Sequence, residues 1–339
     1  MKDTDSIHSL ADIRTLLDAL PGPDRTAEAA CQAREPQLTK PAGSLGRLEE
    51  ISLHLASWQG RHPPRLERMQ AQVFAGNHGV AALGVSAFPA DVTVQMVKNF
   101  ERGGAAINQI CRSFGIELAV TALDLDHPTA DFTQGPAMSE SECVAAVAAG
   151  MAVALAGTDL LVLGEMGIAN TTPAAAICHA LYGGEAADWT GRGTGVDDHV
   201  WQRKVEVVAK GVAANGSADP LRVLCGVGGR ELAAIAGAVL GARLRRIPVL
   251  LDGYVCTAAA TVLEAAQPGA LDHCLVGHVS VEPGHRRLLE RLGKRPLLEL
   301  DMRLGEASGA AVAVGLVKAA LACHTGMATF AEAGVSDKD

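Results

Sequence analysis

Three carboxylates stand beside glycines at the ends of short apolar runs: Glu165 in GEMG, Asp252 in LDG and Glu306 in RLGEASGA (303–310). An acid packed among apolar side chains loses solvation on ionising, so its pKa rises and it becomes suited to general-base work. For Glu306 two readings stand side by side, because Gly-Glu-Ala-Ser is equally an ordinary first helical turn, with an acid favoured by the helix dipole. Glu165 and Asp252 have fewer structural reasons to be acidic.

The second chemical signal is glycine. GNHG (76–79), GEMGIANTT (164–172), GVGG (226–229), LDG (251–253) and GHVS (277–280) each close an apolar run with a residue that lets backbone N–H groups approach a ligand. GRGTG (191–195) is a further glycine-rich loop, with Lys204 roughly two helical turns beyond it. Loop amides, a helix N-terminus and a lysine together could cradle one phosphate.

Absent motifs narrow the ligand. There is no GxxxxGK[ST], and GVGGRE lacks the third glycine of a dinucleotide fingerprint. Asp197 and Asp198 are adjacent but read as a helix cap rather than a magnesium pair. A metal-independent monophosphate site remains, and no cofactor is expected. His78 and His278 end apolar runs, while His179, His285 and His324 lie in helical stretches; no pair has metal-ligand spacing.

These residues need a scaffold that gathers strand ends. Amphipathic helical spacing runs to about residue 65, in Ile7, Leu10, Ile13, Leu16 and Leu17 and again in LGRLEEISLHLASW. Six apolar runs then read as strands: QAQVFAGNHGV, ELAVTALDL, LLVLGEMG, RVLCGVGG, PVLLDGY and HCLVGHVS. Ala-rich helical segments separate them, which predicts an α/β fold with a mostly parallel sheet covered on both faces. Ligands of such sheets bind beyond the carboxyl ends of the strands, where the glycine loops fall. The expected organisation is a helical segment over 1–65, a sheet domain over 66–300, and a helical segment over 301–339 that completes a small domain with the first.

The chain of 339 residues is long enough for a sizeable core, and its 48% apolar and 3% aromatic content means a core of Ala, Val, Leu and Ile. The net charge of −9, without basic blocks, gives no footprint for a phosphodiester backbone, so no nucleic-acid partner is expected. Eight cysteines without a CxxC pair read as buried thiols of a reducing compartment. No segment reads as a signal peptide or clean membrane span, so a cytoplasmic protein without a membrane partner is expected.

Six stretches, KPAGSLGRLE (40–49), FPADVTVQMV (88–97), GEMGIANTTPAAAI (164–177), GRGTG (191–195), PVLLDG (248–253) and MRLGEASGAA (302–311), resemble in the same order the signatures of the nicotinate-nucleotide–dimethylbenzimidazole phosphoribosyltransferase family. The resemblance implies a six-stranded parallel, Rossmann-like sheet with a small helical domain from both chain ends, and a homodimer with sites near the subunit interface. It implies transfer of the phosphoribosyl group of nicotinate mononucleotide to 5,6-dimethylbenzimidazole, giving α-ribazole 5′-phosphate, the lower-ligand nucleotide of cobalamin, and nicotinate. On it, Glu306 corresponds to the catalytic base and Glu165 to a second acid at the site. Lys204 corresponds to a phosphate-binding lysine. Asn170, Gly193, Gly228, Gly229, Asp252 and Gly253 fall in the loops around the nucleotide, and Phe88, Gln95 and Met96 in the stretch lining the benzimidazole pocket.

Three positions depart from the family pattern. Ala307 replaces a glycine beside the base, which is expected to narrow the pocket. Asn77 replaces an aspartate, leaving His78 without an assigned ionised partner, and Phe88 sits where the family varies. Two alternatives stay open: the same fold and donor with another acceptor (adenine, another benzimidazole or a phenol), and a non-catalytic nucleotide-binding protein.

Overall fold

The computed structural model describes residues 7–193 and 195–336; Met1–Ser6, at the start of the first amphipathic stretch, Thr194 of GRGTG, and 337–339 lie outside the described residues. Helices α1 (Leu10–Asp18), α2 (Arg25–Arg34) and α3 (Arg47–Gln59) precede strand β1 (Met69–Ala75). Helices α4 (Val92–Glu101) and α5 (Ala106–Phe114) lead to β2 (Glu117–Ala122), and α6 (Glu140–Ala152) to β3 (Leu160–Met166). Then come α7 (Thr171–Tyr182), α8 (Ala186–Trp189), α9 (Asp198–Asn215), α10 (Pro220–Val227) and α11 (Arg230–Leu244) before β4 (Val249–Leu251). Helix α12 (Tyr254–Ala266), β5 (Cys274–His278), α13 (Pro283–Leu292), β6 (Pro296–Leu298), α14 (Ser308–Gly326) and α15 (Phe330–Ala333) complete the chain.

All six strands are parallel, in the order β2-β1-β3-β4-β5-β6. Successive side chains of a strand point to opposite faces. Phe74, Leu161, Leu163, Val249 and Leu251 enter one core cluster, while Ala71, Val73, Leu160, Val162 and Leu250 enter the other. Both faces are therefore buried, as uninterrupted apolar strands require. The first core is closed by α6, α7 and α10–α12, joined by Ile7, Leu10, Ile13 and Leu17 of the amino-terminal stretch. The second is closed by α3, α5 and α14.

The poverty in aromatics is answered by close backbone approach. A Cβ on Gly150 of α6 would lie 1.8 Å from the Ala234 carbonyl oxygen of α11, and one on Gly237 of α11 would lie 2.0 Å from that of Val147. Helix α14 is long and apolar enough to cross a membrane by length and composition, yet Ala310, Ala311, Val314 and Val317 are buried in the core shared with Ala71, Val162 and Leu250.

Two expectations are corrected. RVLCGVGG is helical: Asp219 accepts the Leu221 N–H at 3.0 Å as N-cap, Pro220 opens the first turn, and α10 runs to Val227. An apolar run alone does not distinguish a buried strand from a buried helix, and the Asp-Pro start signal decides it. The sixth strand is instead Pro296–Leu298, a half-buried edge strand paired with β5 through Val276↔Pro296 and His278↔Leu298. Its leading proline, which cannot donate to a ladder, is tolerated there because it starts an edge strand.

Candidate active site

The sheet reverses its winding between β1 and β3, since β2 lies beyond β1 and β4 beyond β3. That switch point opens a crevice at the carboxyl ends of the strands. The cleft there is lined by Glu165, Asn170, Gly193, Lys204 and Gly253, all anticipated, together with Val85, Thr171, Tyr254, His278, Glu282 and Gly305.

Glu306 is not part of a helical turn. Gly305, Glu306 and Ala307 all take positive φ, at 81°, 62° and 65°, and α14 begins only at Ser308. Left-handed backbone costs a non-glycine residue on the order of 1 kcal/mol or more, so something must hold two such residues there. The Glu306 N–H donates to the Glu165 carbonyl oxygen at 3.1 Å, and the Ser308 hydroxyl donates to the Gly305 carbonyl at 2.6 Å. Glu306 is only 5% exposed and its Oε2 has no partner. Burial, then the charge of Asp252, pushes its pKa up to about 7.

Glu165 is shaped by the same neighbourhood. Burial, with Asp252 the next cause, pushes it up to about 8, against the opposing hydrogen bond donated by the Asn170 amide to Oε2. Its Oε1 lies where a Cβ on Gly305 would come within 2.5 Å, so glycine at 305 suits both the left-handed backbone and the space beside Glu165. Asp252 is fully buried: its Oδ1 accepts the Ala310 N–H in the first turn of α14 at 2.8 Å and stands 3.4 Å from His278 Nε2. That carboxylate raises the pKa of His278 against the opposing effect of burial, which is the largest single influence on the ring.

On the other side of the cleft lies a cradle of donors. Lys204 is 1% exposed; its Nζ donates to Thr171 Oγ1 at 2.6 Å and to the Gly191 carbonyl at 3.1 Å. Burial lowers its pKa to about 8. A Cβ on Gly193 would stand 3.3 Å from Thr171 Oγ1 and 3.5 Å from Lys204 Nζ, so loop amide, hydroxyl and ammonium converge. The N-terminus of α7 opens at the same point, and the combination suits a phosphate. Glu282, following β5, also reaches it: Oε1 accepts the Gly193 N–H at 2.7 Å.

Glu306 and Asp252 lie buried just beneath the lining, beside Gly305 and Gly253, and other anticipated residues stand further from it. Phe88 and Gln95 are exposed and Met96 is half-buried on the second core, although the loop after β3 is tied to their helix by the Ile168 N–H donating to Thr93 Oγ1 at 3.1 Å. Gly228 and Gly229 join α10 to α11 behind the cleft, where a Cβ on Gly229 would meet the His78 ring at 2.3 Å. His78 does have an acidic partner: Nε2 lies 2.5 Å from Glu231 Oε1, both fully buried behind Gly167. Asn77 donates instead to the Leu125 carbonyl at 2.9 Å. His285 ties α13 to β5, its Nδ1 accepting the Ser280 N–H at 2.9 Å and its Nε2 3.0 Å from the Thr257 hydroxyl.

Ala307 does not narrow the cleft. It is wholly buried in the second core, against Gly164 of β3, where an added Cβ would come within 2.0 Å of the Ala307 nitrogen. Glu231 and Glu282 escaped the sequence reading because GGRE and VEPG look like ordinary helix starts. The usable signal was position, since each acid lies within a few residues of a glycine-rich strand or loop end. Among the described residues no group of three or more His, Cys, Asp or Glu is arranged to hold a metal ion.

A phosphoribosyltransferase family profile matches residues 20–335. A nicotinate-nucleotide–dimethylbenzimidazole phosphoribosyltransferase of Ruegeria pomeroyi is 60% identical over 332 residues, covering 98% of this chain and 99% of the relative. One of the same name from Sinorhizobium medicae is 59% identical over 329 residues, covering 96% and 97%. Among solved structures, an enzyme of that name from Thermus thermophilus superposes with a TM-score of 0.86 at 43% identity, covering 93% of this chain and all of that one. A second from the same organism gives 0.87 at 44% identity, covering 92% and 100%.

Proposed function

The chain belongs to the nicotinate-nucleotide–dimethylbenzimidazole phosphoribosyltransferase family, and from that premise we propose how its cleft transfers the phosphoribosyl group of nicotinate mononucleotide to 5,6-dimethylbenzimidazole. The observation that carries the reading is Glu306: a buried carboxyl with a free Oε2 and a pKa of about 7, held on a strained turn at the sheet's carboxyl edge.

In nicotinate mononucleotide the ribose C1′ is bonded to a pyridinium nitrogen. As that bond breaks, its electron pair returns to the ring and nicotinate leaves. One benzimidazole nitrogen forms the new bond from the opposite face, so the β-linked donor gives an α-linked product. Glu306 takes the proton from the other ring nitrogen, which keeps the acceptor electron-rich as the bond forms. A base with a pKa close to ambient pH suits this transfer.

Lys204, Gly193 and the N-terminus of α7 hold the 5′-phosphate, fixing C1′ beside the base; such positioning converts an encounter into an effectively intramolecular step. Glu165, Asn170, Asp252 and Gly253 surround the ribose and the base. Gln95 and Met96, on the helix tied to the loop after β3, and Phe88 before it contribute the acceptor side. Gly229 acts indirectly, by leaving room for the His78–Glu231 pair behind that loop, and Gly228 by closing tightly on Leu224 at the end of α10. On the same reading the protein works in the cytoplasm as a homodimer, which light scattering on the purified protein would test. The reaction itself is tested by incubating the protein with both substrates and resolving α-ribazole 5′-phosphate and nicotinate chromatographically. Absence of both products, with folded protein, would overturn it.

A further inference from the structure

Glu282 is 6% exposed, lines the cleft, and points its carboxylate into the one place where Gly193, Thr171 and Lys204 converge. Oε1 takes the Gly193 N–H at 2.7 Å. Oε2 has no hydrogen-bond partner and lies under Gly191, where a Cβ would come within 1.9 Å of it. Lys204, meanwhile, directs its ammonium to the Thr171 hydroxyl and the Gly191 carbonyl. A carboxylate is an acceptor-only anion, as a phosphate is, and one loop N–H does not serve both.

We propose that Glu282 is a resident anion of the phosphate cradle: its carboxylate holds the Gly193 amide until a phosphate displaces it, and so sets the charge a donor needs to enter. This deepens the function proposed above and rests on its placement of the phosphate.

Two physical consequences support the assignment. A carboxylate with both oxygens paired would be a permanent staple, whereas one with a buried, unpartnered oxygen is poorly satisfied where it sits and readily displaced. The tether also keeps the 191–193 segment shaped for an anion before the substrate arrives, which lowers the ordering cost of binding. A neutral nucleoside brings no charge to compete for the amide, while a phosphate dianion also gains Lys204 and the α7 N-terminus. Glu282 is thus a positioning and specificity residue, not a reacting group.

The test uses inorganic phosphate as probe, titrated calorimetrically into the whole protein and its E282Q variant. Gln retains an oxygen for the Gly193 N–H but removes the charge. Phosphate should bind E282Q on the order of tenfold tighter than wild type, and the KM for nicotinate mononucleotide should fall without a matching rise in kcat. Unchanged or weaker phosphate binding by E282Q overturns the proposal, as does a phosphate-bound crystal structure in which Glu282 still accepts the Gly193 N–H. A KM that rises, with lost discrimination between ribosyl and deoxyribosyl donors, would show that Glu282 reads the sugar instead. Because phosphate binding is read without turnover, failure of the transferase reaction is distinguishable from failure of this idea.

Discussion

The backbone N–H of Glu306 donates to the backbone carbonyl of Glu165 at 3.1 Å, so the residue assigned as base is fastened to the end of β3, the strand that carries the second acid. Replacing the Glu306 carboxyl should therefore leave the turn intact. E306Q is expected to lower kcat by roughly 100- to 10,000-fold, with a far smaller change in KM for nicotinate mononucleotide. Steady-state kinetics beside a circular dichroism spectrum check this; near-full turnover would remove Glu306 from the mechanism.

Rate should follow ionisation of the same group. In wild type, kcat/KM should rise through about pH 7 as Glu306 becomes the carboxylate. Asp252 is the charge that holds that pKa up after burial has done the most, so D252N should move the acid limb to lower pH than in wild type. Asn retains an oxygen for the Ala310 N–H, keeping the start of α14. A limb that stays at about 7 in D252N would show that burial alone sets it.

Above about pH 8 the limiting group should be Lys204, whose charge is weakened by burial. As it loses its proton the KM for nicotinate mononucleotide should climb, and K204R, which stays charged, should flatten that limb. K204M should raise the KM roughly 10- to 100-fold at about pH 7 while sparing donors that lack the phosphate. Equal losses with phosphorylated and unphosphorylated donors would contradict the cradle.

Stability should carry the mark of Glu165. Its pKa is 4.5 in an ordinary setting and about 8 in the fold, through burial first and Asp252 next. The unfolded chain releases this proton near pH 4.5 but the folded one keeps it to about 8, so the proton-linked stability is whole below 4.5 and lost as pH rises towards 8. E165Q, which never ionises, should raise Tm by roughly 3–6 °C at about pH 8.5 and by under about 1 °C at about pH 4.5. Calorimetry at both pH values decides; an equal gain at both would point to packing rather than charge.

Ala307 should matter little to acceptor choice, because its methyl packs on Gly164 and not in the cleft. In A307G, relief of the left-handed strain is offset by a lost buried methyl and a looser unfolded chain, so stability should stay within about 1 kcal/mol. KM for dimethylbenzimidazole should be unchanged. Gly164→Ala should be severely destabilising, since a Cβ would fall 2.0 Å from the Ala307 nitrogen. Denaturant melts and acceptor kinetics separate these outcomes.

These relationships also define what was legible in advance. Strand-end glycines and uninterrupted apolar runs predicted a parallel sheet with its cleft at the carboxyl edge, because both features are local. RVLCGVGG misled because its composition suits a buried strand and a buried helix alike, and the deciding cap, Asp219, lies outside the run. PLL escaped because a proline-led triplet looks like a loop until a neighbouring strand pairs with it. Glu306 could be read as the candidate base only through resemblance, since its left-handed turn is fastened to β3, more than a hundred residues earlier in the chain. The His78–Glu231 pair likewise joins residues 153 apart.

The three-residue left-handed turn has a bearing on how the enzyme becomes active. Left to local preference, Gly-Glu-Ala-Ser would extend α14 backwards and make Glu306 a solvated acid on its first turn. The carbonyl that prevents this belongs to β3, and the core that receives Ala307 exists only once the sheet is assembled. The proposed base therefore takes its buried setting only in the assembled fold, and a chain without the sheet would carry the residue without the raised pKa that suits it to the role.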